Sequence, residues 1–220
     1  MNPREYEAII FDFDGVLAES VDVKTRAFAE LYADYGPEMV SRVVAHHLAH
    51  GGVSRYEKLR YYHEEFLRRP LGEEERQLLL ERFENLVEDA VVASDWVSGA
   101  RECLEQHVGR VPLFVVSGTP QGELERIVER RGIARYFVSV HGSPLGKTAH
   151  LRNIIGQRGF RPRCAVVIGD SMTDYDAAME VGATFIGRVP TGADNPFPPA
   201  VSIVPDLTDL GLGASGVTGL

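Results

Sequence analysis

Ala8-Ile9-Ile10-Phe11-Asp12-Phe13-Asp14-Gly15-Val16-Leu17 decides the architecture of this chain. Its first four residues form a short, continuous apolar run with Glu7 before it and Asp12 after it, the pattern of a strand covered on both faces. Four further segments have the same character, Pro112 to Val116, Phe137 to Val140, Ala165 to Ile168 and Ala183 to Ile186, with Val201 to Val204 as a weaker sixth. Between them, Ala100, Cys103, Leu104, His107 and Val108 recur at helical spacing, as do Leu124, Ile127 and Val128, then Leu151, Ile154 and Ile155. Strands alternating with helices predict an α/β fold: a Rossmann-like parallel sheet with helices on both faces.

The stretch from Val21 to Val97 departs from that alternation. Phe28, Leu31, Tyr32 and Tyr35, then Val40, Val43, Val44 and Leu48, then Leu59, Tyr62 and Phe66, then Leu79, Phe83, Leu86 and Val87 all repeat with a helical period. Gly36-Pro37 and Pro70-Leu71-Gly72 punctuate them. The spacing predicts four helices inserted after the first strand, standing over the carboxyl ends of the strands, where open α/β sheets bind ligands. The expected division is a core of residues 1–20 and 98–210, a helical insertion of 21–97, and a flexible Gly- and Ser-containing tail of 211–220.

At 220 residues, 44% hydrophobic and 25% charged, the chain can bury a full core. A formal net charge of -9 argues against a nucleic-acid surface, so a small anionic ligand would need a local positive centre. The first residues lack the basic start and apolar run of a signal peptide, and no run is long enough to cross a bilayer, so no membrane association and a cytoplasmic location are expected. Cys103 and Cys164 read as reduced packing residues. The sequence leaves monomer and homodimer open.

Four segments carry candidate chemistry. Asp12 and Asp14 stand two apart at the end of the first strand, so their carboxylates can face one site, and such a pair favours a divalent cation. Oxygen-only ligands suit magnesium. Gly15 would let the chain turn away from the site. Ser117-Gly118-Thr119-Pro120 follows the second strand; with Thr119 as helix N-cap and Pro120 in the first helical position, it predicts an anion site at a helix N-terminus. Lys147 begins a helix, where the dipole disfavours a cation unless an anion compensates it. Gly169-Asp170-Ser171-Met172-Thr173-Asp174 follows a fourth strand with two acids one turn apart. All four segments fall at the strand ends of one sheet, and together they supply a nucleophile, anion donors, a cation and metal ligands.

In this order, Asp12-x-Asp14, Ser117, Lys147 and Gly169-Asp170-x-x-x-Asp174 resemble the four motifs of the haloacid dehalogenase superfamily of phosphohydrolases, and the inserted helices look like its small cap domain. The resemblance implies that Asp12 attacks phosphorus to give an aspartyl-phosphate and that Asp14 serves as acid and base. It implies Mg2+ held by Asp12, the backbone carbonyl of Asp14, and Asp170, with Asp174 ligating the metal or orienting its shell. Ser117, Gly118 and Lys147 would stabilise the phosphoryl oxygens, with Thr119 beside them. The implied partner is a small phosphorylated metabolite such as phosphoglycolate or a sugar phosphate.

Gly52-Val53-Ser54-Arg55 resembles the substrate-reading segment of the β-phosphoglucomutase branch, which makes a phosphosugar mutase the rival reading; a non-catalytic phosphometabolite-binding module is a third. Lys24 in place of that branch's histidine, and Asp174 in the fourth motif, favour a phosphatase. Arg55 is expected either to grip a substrate oxyanion or to form a surface ion pair. Lys24 and Glu19 either reach substrate or tie insertion to core. His46, His47 and His50 read as a polar helix face and not a zinc site, and Tyr56, Tyr61 and Tyr62 as packing.

Overall fold

The computed structural model describes residues 6–208 and 210; the tail expected at 211–220 lies outside the described residues. Six strands, β1 (Ala8–Phe11), β2 (Leu113–Pro120), β3 (Ser139–Ser143), β4 (Ala165–Gly169), β5 (Thr184–Arg188) and β6 (Ser202–Val204), form one sheet in the order β3-β2-β1-β4-β5-β6. Every pairing is parallel, so all six carboxyl ends reach the same rim.

Alternation along β1 explains the two-sided burial. Ile9 and Phe11 join a core with Leu104, Val115 and Ile127, while Ala8 and Ile10 join another with Phe114, Leu151, Ile154 and Ala178. The first face is covered by α5 (Ala100–His107) and α6 (Gln121–Arg130), the second by α7 (Lys147–Arg158) and α8 (Met172–Val181).

Between β1 and β2 come four more helices: α1 (Val21–Leu31), α2 (Pro37–Ala49), α3 (Arg55–Tyr61, continued by a π turn at Tyr62–Phe66) and α4 (Glu73–Ala93). Pro37 opens α2, where its missing N–H costs nothing. Phe28, Tyr32, Tyr62, Phe83 and Val87 are buried among these helices and are continuous with the first-face core, so the insertion is fastened to the sheet by apolar contact. At the outer edge, Arg126 and Arg130 of α6 pair with Glu84, Glu88 and Asp89 of α4.

One predicted boundary is displaced. β2 runs through Pro120, pairing there with Ser143, and α6 begins at Gln121 with Pro120 as its N-cap. Thr119 therefore lies in extended backbone before the helix. A register shift between Val116 and Pro120 lets the strand continue past the expected turn.

Candidate active site

The strand ends deliver the site residues one by one. Asp12 follows β1, Ser117 to Thr119 close β2, Lys147 opens α7 after β3, and Asp170 follows β4 with Asp174 in the first turn of α8. Gly15 takes φ +75°, and a Cβ there would fall 2.1 Å from Asp170 Oδ2, so the turn after Asp14 admits no side chain.

Lys147 is buried and spans two acids, its Nζ lying 3.0 Å from Asp12 Oδ2 and 2.6 Å from Asp174 Oδ1. The cation disfavoured at a helix start thus has its compensating anions, as the sequence required. Burial alone would lower Lys147, but the two carboxylates outweigh it and raise the ammonium above its ordinary range. Asp12 is 4% exposed, and burial followed by the Asp174 charge pushes it up to about 7. Asp170 is likewise raised well above the usual carboxylate range, by burial and then by Asp12 and Asp174.

One oxygen each from Asp12, Asp170 and Asp174 lies within 4.8 Å of the other two. Burial and neighbouring carboxylates disfavour ionisation of Asp12 and Asp170, an entering cation would relieve both, and an all-oxygen set suits a hard divalent ion. The residues therefore fit a divalent metal. Asp14's carboxylate is not among the three, which leaves only its backbone carbonyl for the ligand role expected of it.

Asp14 is committed elsewhere. Its side chain pairs with Lys24 Nζ and accepts from Ser20 Oγ at 2.6 Å and from Thr119 Oγ1 at 3.3 Å. Burial favours the neutral form, yet the Lys24 ammonium and these donors hold Asp14 below the ordinary carboxylate range. Lys24 Nζ also donates to Thr119 Oγ1 at 2.7 Å, while Thr119 N–H donates to Ser117 Oγ at 3.1 Å. A single network thus runs from α1 through Asp14 to the end of β2.

The inserted helices roof these groups. Asp12, Asp14, Ser117, Gly118, Thr119 and Asp170 share a cleft of about 920 Å³, counted out to its mouth, with Lys24, Phe28, His47, Gly51, Gly52, Arg55, Lys58 and Phe83. The loop before α3 presses on the rim: Thr173 Oγ1 donates to Gly51 O at 2.9 Å. A Cβ on Gly118 would meet Gly52 O at 2.5 Å, so two bare backbones touch there.

Other expected residues fall differently. Glu19 pairs with Arg188 at 2.6 Å and does not line the cleft, because its strand-end turn faces β5. Arg55 is neither a surface pair nor a free oxyanion grip: it is buried, its guanidinium 2.6 Å from Glu123 of α6 and 4.3 Å from the Phe83 ring centroid. His47 is no part of a polar face; it is buried against Phe28, with ring centroids 4.8 Å apart, while His46 stacks on Tyr61. Burial, then Lys58, lowers His47 to about 3. Tyr62 is buried as packing, but Tyr61 is exposed. Cys103 is buried and Cys164 half-buried, and both thiols are free.

Lys58 and Glu123 were not foreseen. Lys58 lies three residues beyond Arg55, and that helical spacing was the available signal. Nothing local announces Glu123 as Arg55's partner.

A parallel sheet that gathers an aspartate, a bridging lysine and a carboxylate cluster at one rim, beneath inserted helices, defines a hydrolase with a Rossmann-like α/β core. Sequence comparison gives the family: the profile of the haloacid dehalogenase-like hydrolases matches residues 6–182, and the chain belongs to that family. It is 28% identical over 182 residues to a phosphoglycolate phosphatase of Synechococcus elongatus, covering 80% of each protein. Among solved structures, a predicted phosphoglycolate phosphatase from Haemophilus somnus superposes with a TM-score of 0.72 at 21% identity, over 94% of this chain and 96% of the other. A Thermotoga maritima protein assigned as a β-phosphoglucomutase superposes with a TM-score of 0.66 at 23% identity, over 93% and 97%. At these identities the structural likenesses speak for the fold. Among the described residues no helix is long and apolar enough to cross a membrane.

Proposed function

We propose that this phosphoric monoester hydrolase removes phosphate from a small phosphorylated metabolite, with Asp12 as nucleophile, an aspartyl-phosphate intermediate and Mg2+ as cofactor. The observation that carries the reading is the placement of Lys147 between Asp12 and Asp174, with Asp170 beside them, at the shared ends of parallel strands. Phosphoglycolate is the leading substrate by similarity to the Synechococcus enzyme.

Asp12, Asp170 and Asp174, with the Asp14 carbonyl, would hold the ion, which would neutralise the carboxylates and the phosphoryl oxygens. Phe13 N–H donates to Asp12 Oδ1 at 2.7 Å, and Lys147 sits against Oδ2, so the carboxylate is oriented from both sides. With Lys147 in place to balance charge, Asp12 attacks phosphorus and the ester oxygen leaves. Ser117 and the Gly118 N–H bind the transferring oxygens. Asp14, kept ionised by Lys24, then takes a proton from the water that releases phosphate. For the first step it must be protonated, which requires Lys24 to withdraw or the substrate to bring the proton.

Arg55, the residue that the mutase reading assigns to a second phosphate, is here taken by Glu123. The inserted helices act in this reading as a cap, excluding water. Purified protein with magnesium should hydrolyse an aryl phosphate and lose that activity in EDTA and in Asp12→Asn. Turnover surviving in either condition overturns the mechanism.

A further inference from the structure

The cations around the cleft sort by what already holds them. Lys147 is spoken for by Asp12 and Asp174, Lys24 by Asp14 and Thr119, and Arg55 by Glu123. Lys58 is different. It is 2% exposed, lines the same cleft, and forms no ion pair with any carboxylate among the described residues. Its Nζ donates to His47 Nδ1 at 2.9 Å and His47 O at 3.4 Å, which occupies two of an ammonium's three donors. His47 is a neutral acceptor, so no charge is cancelled there. The other close neighbour is the Phe28 ring, 5.8 Å away. Burial, then the Lys24 and Lys147 charges, lowers Lys58 to about 7, so its ammonium is held there at a cost that an incoming anion relieves.

Lys58 lines the same cleft as Asp12, Asp14 and Asp170 but from the inserted helices, so it looks onto the reacting rim from the roof. The phosphoryl group belongs at the rim, beside Asp12 and Lys147. What reaches the roof is the rest of the substrate.

We infer that Lys58 is the specificity-determining residue of this cleft and takes an oxyanion, a carboxylate or a second phosphate, carried on the substrate's leaving group. The inference rests on the phosphatase reading above and adds to it: the preferred esters have an anionic leaving group, and Lys58, not Arg55, reads it. The Phe28 and Phe83 walls around it exclude water and strengthen that contact.

The test compares kcat/KM of the magnesium-loaded full chain for ethyl phosphate, phosphoglycolate and ethylene glycol bisphosphate. One of the two anionic esters should exceed ethyl phosphate by roughly 10- to 100-fold, the range of a hydrogen bond to a charged group; which one does so identifies the oxyanion. Lys58→Met should erase that ratio and Lys58→Arg retain part of it. A wild-type ratio near one, or a ratio kept in Lys58→Met, overturns the inference whether or not the variants fold well. Calorimetric binding of phosphonoacetate and of ethane-1,2-bisphosphonate, each against ethylphosphonate, to the wild-type protein asks the same question of both oxyanions without turnover. Equal affinities there overturn the inference even if the protein hydrolyses esters, while absent turnover alone would strike only the phosphatase reading.

Discussion

Asp12→Asn should make the metal-free protein more stable while removing its activity. Asp12 holds its proton up to about 7 in the folded chain, against 3.8 for an ordinary aspartate, because it is buried and faces Asp174. The folded state therefore binds this proton at pH values where the unfolded chain has released it, and ionisation penalises folding. The penalty is absent below the ordinary range, grows as pH rises, and is complete above about 7. A difference of about 3 units corresponds to ~4 kcal/mol at most, since one unit is about 1.4 kcal/mol. Part of that repulsion stays with Asp170 and Asp174, so about 2 kcal/mol of stabilisation is expected from the neutral amide, or a Tm higher by about 4–8 °C for a chain of this size. The assay is thermal unfolding in EDTA, followed by circular dichroism from about pH 5 to about pH 8. The gain should shrink toward the acid end and reverse under saturating magnesium, because the ion stabilises the wild type more. An Asp12→Asn variant that melts below the wild type in EDTA at the alkaline end would refute the reasoning that these carboxylates repel.

Lys24→Met removes the ammonium that keeps Asp14 ionised, so Asp14 should titrate higher and the alkaline limb of the kcat/KM profile for an alkyl phosphate, where Asp14 must carry its proton in the first step, should move to higher pH; a limb that stays put would detach Lys24 from the reaction. Glu123→Ala strands the Arg55 guanidinium in a buried seam and should cost about 3 kcal/mol in urea unfolding, where an exposed pair would cost less than about 1.

The sheet was legible because its signals are local and redundant. Each of the six apolar runs contributes a strand, and Lys147, placed at a helix start where the dipole opposes it, demanded the anions that Asp12 and Asp174 provide. Gly15 was legible as a turn for the same reason, although the carboxylate of Asp170 against it was not. The contacts that escaped are those made between the inserted helices and the core. Arg55 meets Glu123 across 68 residues of sequence, and that pairing depends on how α3 lies on α6, which no local pattern encodes. The same distance hid Lys58: until Arg55 is seen to be occupied, nothing singles out the lysine one turn later. His47 misled because a histidine on a mostly polar helix gives no sign that its own turn faces Phe28.

The bare contact of Gly118 with Gly52, and the hydrogen bond from Thr173 to Gly51, have one further consequence. On the inserted side that seam is glycine main chain with no rotamer to freeze, so holding it against the Ser171 and Thr173 side chains of the rim carries little entropy from that half. Its fit is also indifferent to which residues decorate α3 further along. Under the proposed role of Lys58, retuning the cleft toward another ester becomes a matter of exchanging roof side chains, while the glycine hem is left as it is.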